Sequence, residues 1–152
     1  MRYAGIYLIK NKLVLCSSAS SAVGGHLSVA PYIHLPEDAN DDEIVSAINK
    51  VMDANQYKVP HPKQDEWSSR GKNHLKGLGL KTYKEQKEAL HCSLADNGES
   101  FIFSPSKKEK VGLGSTFVED ALIEISKEES NEKIAAALRA ALDICKQNND
   151  TP

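Results

Sequence analysis

Two stretches of this chain, Tyr32 to Asp53 and Leu122 to Asp143, carry one pattern at a constant offset and without a gap. Ile33 falls on Ile123, Leu35 on Ile125, Asn40 on Ser130, Asp42 on Glu132, Ile44 on Ile134, Ala47 on Ala137, Ile48 on Leu138 and Met52 on Leu142. An internal repeat constrains architecture more than any single motif. Each copy must form one supersecondary unit that buries its apolar side against the rest of the chain.

The local chemistry of both copies predicts a strand, an acidic turn and an amphipathic helix. Ile33 and Leu35 alternate with His34, as Ile123 and Ile125 do with Glu124, which is the period of a strand buried on one face. Asn40 is placed to cap a helix, and Glu43 three residues on can complete a capping box. Ser130 takes the cap position in the second copy, but Lys133 stands where the box would want a glutamate. Beyond the caps, Ile44, Ala47, Ile48, Val51 and Met52 form one apolar stripe, matched by Ile134, Ala137, Leu138, Ala141, Leu142 and Cys145.

Around the repeats, Tyr3 to Ile9 and Leu13 to Leu15 flank Lys10-Asn11-Lys12 as a hairpin. Ser17 to Gly25 reads as a loop, followed by a short strand near Leu27 and Val29. Pro60, Pro62, Ser68, Ser69 and Gly71 break any period, so Tyr57 to Lys76 reads as a long loop. Thr82 caps a short helix over residues 82–89, and Leu90 to Ala95 pairs with Ser100 to Ser104 across Asp96-Asn97-Gly98, a primed-turn sequence. Lys107 to Thr116 reads as a charged loop, and Asp150 to Pro152 as a fraying end. Each half is then a run of antiparallel strands closed by one helix. The expected fold class is α+β, in one domain over residues 1–152.

Charge and cysteine narrow the function classes. A formal net charge of -2 argues against a dedicated nucleic-acid binder. The sum hides an acidic cluster, Glu37, Asp38, Asp41, Asp42 and Glu43, and a basic middle from Lys58 to Lys87. The run Tyr3 to Ile9 is too short for a signal segment, and no stretch predicts a membrane span. Cys16, Cys92 and Cys145 are odd in number and widely spaced, which fits a reducing cytoplasm and small buried apolar roles.

No local motif announces catalysis. The Gly24-Gly25 pair and Gly112 with Gly114 lack the lysine and hydroxyl of a phosphate loop. The five histidines are scattered, and neighbouring His91 and Cys92 point to opposite strand faces, so a metal site is not expected. No cofactor is expected either. The acidic cluster serves the helix dipole and caps, and it also offers a surface that steers a basic partner. Trp67, the sole tryptophan, is open to two readings, a buried anchor or an exposed binding aromatic.

Several segments together resemble a known family. They are Gly79-Leu80-Lys81-Thr82, the hairpin His91-Cys92-Ser93-Leu94 to Ile102-Phe103-Ser104-Pro105 with Asn97-Gly98 at its turn, and Lys107-Lys108-Glu109-Lys110. The helix Asn131-Glu132-Lys133-Ile134 with Ala136-Ala137-Leu138 continues the series, and Leu35-Pro36, Asp38-Ala39, Asp41 and Glu43-Ile44 carry it in the first half. In that order they resemble the immunity proteins of bacterial contact-dependent growth inhibition. Leu80 departs from the family's usual aromatic, and Gly112-Leu113-Gly114 replaces its tryptophan-glycine signal. The resemblance implies a non-enzymatic, cytoplasmic inhibitor, expected as a monomer, that binds the C-terminal toxin domain of its cognate effector and blocks the active site. Such toxins are often nucleases, whose basic clefts would suit Glu37, Asp38, Asp41, Asp42 and Glu43, with Trp67 as an anchor. The rival expectation is a single-stranded nucleic-acid binder, suggested by topology alone.

Overall fold

The computed structural model describes residues 1–112 and 114–149, so the expected fraying of Asp150 to Pro152 lies outside the described residues. Three strands open the chain, β1 (Arg2–Ile9), β2 (Lys12–Ser21) and β3 (His26–Pro36), and helix α1 (Asp41–Asp53) follows. Next come β4 (Gln56–Val59), a single 3-10 turn at Gln64–Glu66, and helices α2 (Trp67–Gly77) and α3 (Tyr83–Glu88). The second half contains β5 (Leu90–Asp96), β6 (Ser100–Lys108), β7 (Ser115–Phe117), β8 (Ile123–Ser126) and α4 (Asn131–Asn149). The fold is α+β.

The sheet runs β3-β2-β1-β5-β6-β7, with β8 also on β6 and β4 on β2. Every pairing is antiparallel except β4 with β2. The two halves meet at β1 and β5, where Gly5 faces Ser93. The repeats occupy equivalent places on either side of that seam. Ile33 faces Leu15 and Leu35 faces Leu13 in the first half, while Ile123 faces Phe103 and Ile125 faces Phe101 in the second.

Helices α1 and α4 cover the same face of this sheet. Their stripes, led by Ile44, Ile48, Met52, Ile134, Leu138 and Leu142, close over Ile6, Leu15, Leu94, Phe101 and Phe103. Each such side chain taken fully out of water contributes roughly 1.5–3 kcal/mol. Both predicted caps are in place. Asn40 accepts from the Glu43 amide at 2.9 Å, and the Ser130 hydroxyl accepts from the Lys133 amide at 3.3 Å. The capping box takes a different form, because the Glu43 carboxylate accepts from the Asn40 side-chain amide at 2.6 Å. Lys133 instead pairs with Glu129 at 3.3 Å.

Three predicted loops and one strand division differ from the structure. β2 continues through Ser17 and Ser18, which are buried. The Ser17 hydroxyl donates to the Val51 carbonyl at 2.7 Å, so a polar residue sits under α1 without an unmade bond. β3 is one strand rather than two, passing a register shift opposite Cys16 and Ser17. The stretch Tyr57 to Lys76 holds the end of β4 and nearly all of α2. Finally, β6 and β7 take both ends of the charged stretch Lys107 to Thr116. The hairpin after β5 is as predicted, with Gly98 at φ +97° and the Asn97 side chain accepting from the Glu99 and Ser100 amides.

Helix α2 lies on the opposite face of the sheet. Leu75 and Leu78 join Ile9, Val14, Leu80 and Ala89 in a smaller cluster, with Tyr7 and Tyr32 packed against it. Gly77 permits this closeness, since an added Cβ would stand 2.5 Å from the Tyr32 ring.

Candidate interaction surface

The acidic turn joins β3 to α1, and the structure divides its members. Glu37 pairs with Lys146 at 3.1 Å and Asp41 with Arg139 at 2.7 Å, both partners belonging to α4. Asp42 accepts from Asn131 at 2.9 Å, and Glu43 is held by Asn40. Glu37 and Asp41 are therefore neutralised within the fold. Asp38, Asp42 and Glu43 are exposed and meet no cation in the ion pairs formed among the described residues.

Two of these outward acids, Asp42 and Glu43, border a groove. Ile33, Leu35 and Ala47 form its apolar floor between the edge strand β3 and α1, and Asn40, Asp42, Glu43, Ser46 and Lys50 form its rim. The volume is about 380 Å³. An apolar floor with a charged rim is the composition of a protein-docking patch, where burial gives residence time and charge gives orientation.

Trp67 is not part of this groove. It opens α2 on the other side of the sheet, is 44% exposed, and meets the His61 ring edge-on at 5.5 Å. His61 in turn hydrogen-bonds the Ser21 hydroxyl at 2.9 Å. The residues named from sequence thus fall on two surfaces.

The α2 side also holds a group that sequence reasoning missed. Tyr7 stacks against His91 at 4.8 Å and lies edge-on to His74 at 5.4 Å, and the Tyr32 hydroxyl meets His74 Nδ1 at 2.7 Å. Burial drives the titration of all these groups. It pushes the Tyr7 and Tyr32 hydroxyls up, the Cys16 thiol up to about 11, His74 down and His91 down to about 4. Burial thus favours the neutral imidazoles, which pack against the Tyr7 ring. Among the described residues, no three or more His, Cys, Asp or Glu side chains converge to hold a metal. The available signal was the period of two that sets Tyr3, Gly5 and Tyr7 on one side of β1, opposite the core residues Ile6 and Leu8.

The three cysteines are buried and free. Distant in sequence, Cys92 and Cys145 meet in the core between β5 and α4. The hydrogen-bond contact between the two thiols, followed by burial, raises the Cys92 thiol far above its ordinary range.

No known family matches the chain, and no curated protein matches it. Its fold is shared by solved structures. A protein of unknown function from Neisseria meningitidis is 18% identical, with 95% of this chain and 94% of that one covered at a TM-score of 0.75. A chain of the CdiA-CT/CdiI toxin and immunity complex from Yersinia pseudotuberculosis is 15% identical, with 95% and 97% covered at a TM-score of 0.73. Likeness at these identities is a likeness of fold.

Proposed function

We propose that this protein is an immunity protein that binds the C-terminal toxin domain of a contact-dependent growth inhibition effector and blocks its active site. The observation that carries the reading is the end-to-end fold likeness to a chain of a toxin and immunity complex, 95% of this chain at a TM-score of 0.73. The segment pattern read from the sequence points the same way. Asp42 and Glu43 on the rim of an apolar groove, with Asp38 exposed on the same turn, supply a means, because an acidic surface suits the basic cleft of a nuclease and speeds its capture.

On this reading the chain acts in the cytoplasm as a stoichiometric inhibitor without a cofactor. No helix of the described residues is long and apolar enough to cross a membrane. The comparisons lend nothing to the nucleic-acid alternative.

The test is protection in cells. A large exported effector is expected to be encoded beside this chain, and its C-terminal domain is expressed with and without the chain itself. Growth restored only when both are present supports the proposal, and unrelieved killing at equal expression overturns it.

A further inference from the structure

The edge strand β3 has a second groove, on its other face and of opposite charge. It lies between β3 and α2, has a volume of about 410 Å³, and is floored by Val29, Ala30 and the Tyr32 ring. Arg70 and Lys76 stand on its α2 wall with Asn73 between them, and among the described residues no carboxylate lines it. All ion pairs formed among the described residues use other cations: Arg2, Lys127, Lys133, Arg139 and Lys146. The nearest acids of the preceding turn, Asp65 and Glu66, suit the helix dipole and do not line the groove. The floor is fixed from below, because Tyr32 is held by His74 and Gly77 packs flush against its ring.

We infer that this groove takes an acidic segment of a protein partner in extended form. Two uncompensated cations over an apolar floor match a chain alternating carboxylate and apolar side chains, one set for the wall and one for the floor. A phosphate backbone fits less well. It would bring a continuous negative charge past the acidic rim on the opposite side of the same strand, well within reach of a screening length of about 8 Å at physiological salt. The two grooves make the β3 edge bipolar, acid toward α1 and base toward α2. A partner seated across it is thereby oriented, since reversal would set like charges together. The inference rests on the proposed function only in taking the partner to be a protein.

The probe is a short capped peptide alternating glutamate and valine, titrated into the labelled protein and followed by amide chemical shifts. Saturable shifts at Val29, Ala30, Arg70 and Lys76 are expected, with affinity weakened roughly tenfold or more in an Arg70→Glu, Lys76→Glu variant. The milder Arg70→Gln, Lys76→Gln variant should fall between the two and guards against misfolding. Binding that ignores both variants, shifts confined to other surfaces, or tighter occupancy of the groove by a short oligothymidylate would each overturn the assignment. The titration needs no toxin, so it is separate from the cell-protection test above.

Discussion

Asp41 and Arg139, 98 residues apart, tie the two repeats together through an ion pair of 2.7 Å at the head of α1. The same guanidinium donates to the Ala39 carbonyl at 2.6 Å, so one α4 side chain fixes both the helix start and the turn before it. Both charged side chains are about two-fifths exposed, 41% and 39%, and solvent screens the pair. The ion pair alone is worth about 0–1 kcal/mol and the carbonyl bond about another 1 kcal/mol. Urea unfolding of Arg139→Ala should accordingly show a loss of about 1–2 kcal/mol, with Asp41→Asn costing less. Equal costs for the two would show that the carbonyl bond adds nothing.

Ile44 and Ile134 hold the same place in the two repeats and are 0% and 2% exposed. Truncating either to alanine removes buried methylenes and leaves a cavity, at a cost of roughly 2–5 kcal/mol. Equilibrium unfolding should place both variants in that range. A loss under about 1 kcal/mol at either site would mean that one helix does not close the shared core.

Acid should destabilise the fold through His91. Burial, aided by His74, lowers its pKa from an ordinary 6.5 to about 4. Below 6.5 the unfolded chain takes up the proton while the folded chain refuses it until about 4, so this contribution is complete above 6.5 and is lost as the pH falls between those values. The full loss is on the order of 3 kcal/mol. Stability measured at pH 7 and pH 5 should drop more steeply for the wild type than for His91→Gln, and parallel drops would contradict the assignment.

The buried cysteines give a simpler check. Cys16, Cys92 and Cys145 are each 0% exposed, so a thiol reagent should find none of them in the native protein and all of them in urea. Rapid native labelling at Cys145 would show that α4 opens from the sheet.

The parts of this fold that were legible in the sequence are those whose signals are local. Asn40, Ser130 and Thr82 announce their helices through hydroxyl or amide caps, and Gly98 marks its hairpin through a backbone angle. Helix α2 was hidden because Leu75 is its one buried side chain and Ser68, Ser69 and Gly71 weaken its propensity. It is held by distant contacts, His74 to Tyr32 and the His34 ring to the Gly77 carbonyl at 2.8 Å. The candidate surface was half legible for the same reason. The acids stand together in sequence, but their partners Asn131, Arg139 and Lys146 come from α4, and only the fold separates the neutralised Glu37 and Asp41 from the outward Asp38, Asp42 and Glu43.

That separation predicts which charges matter to a partner. Reversing Asp38, Asp42 and Glu43 to lysine should slow association with a basic toxin domain roughly tenfold at low salt, with the gap narrowing as salt rises. Asp41→Asn should instead act on stability and leave the association rate near that of the wild type. Stopped-flow mixing separates the two effects, and an unchanged rate in the triple variant would remove the acidic rim from the account.

The central claim is tested most directly by calorimetric titration, into the protein, of the purified C-terminal toxin domain of the cognate effector that the proposal expects. The account predicts a one-to-one complex with a Kd of roughly 1 nM or tighter, in line with high-affinity inhibitor interfaces. Absence of binding at micromolar concentrations, with both proteins folded, would contradict it.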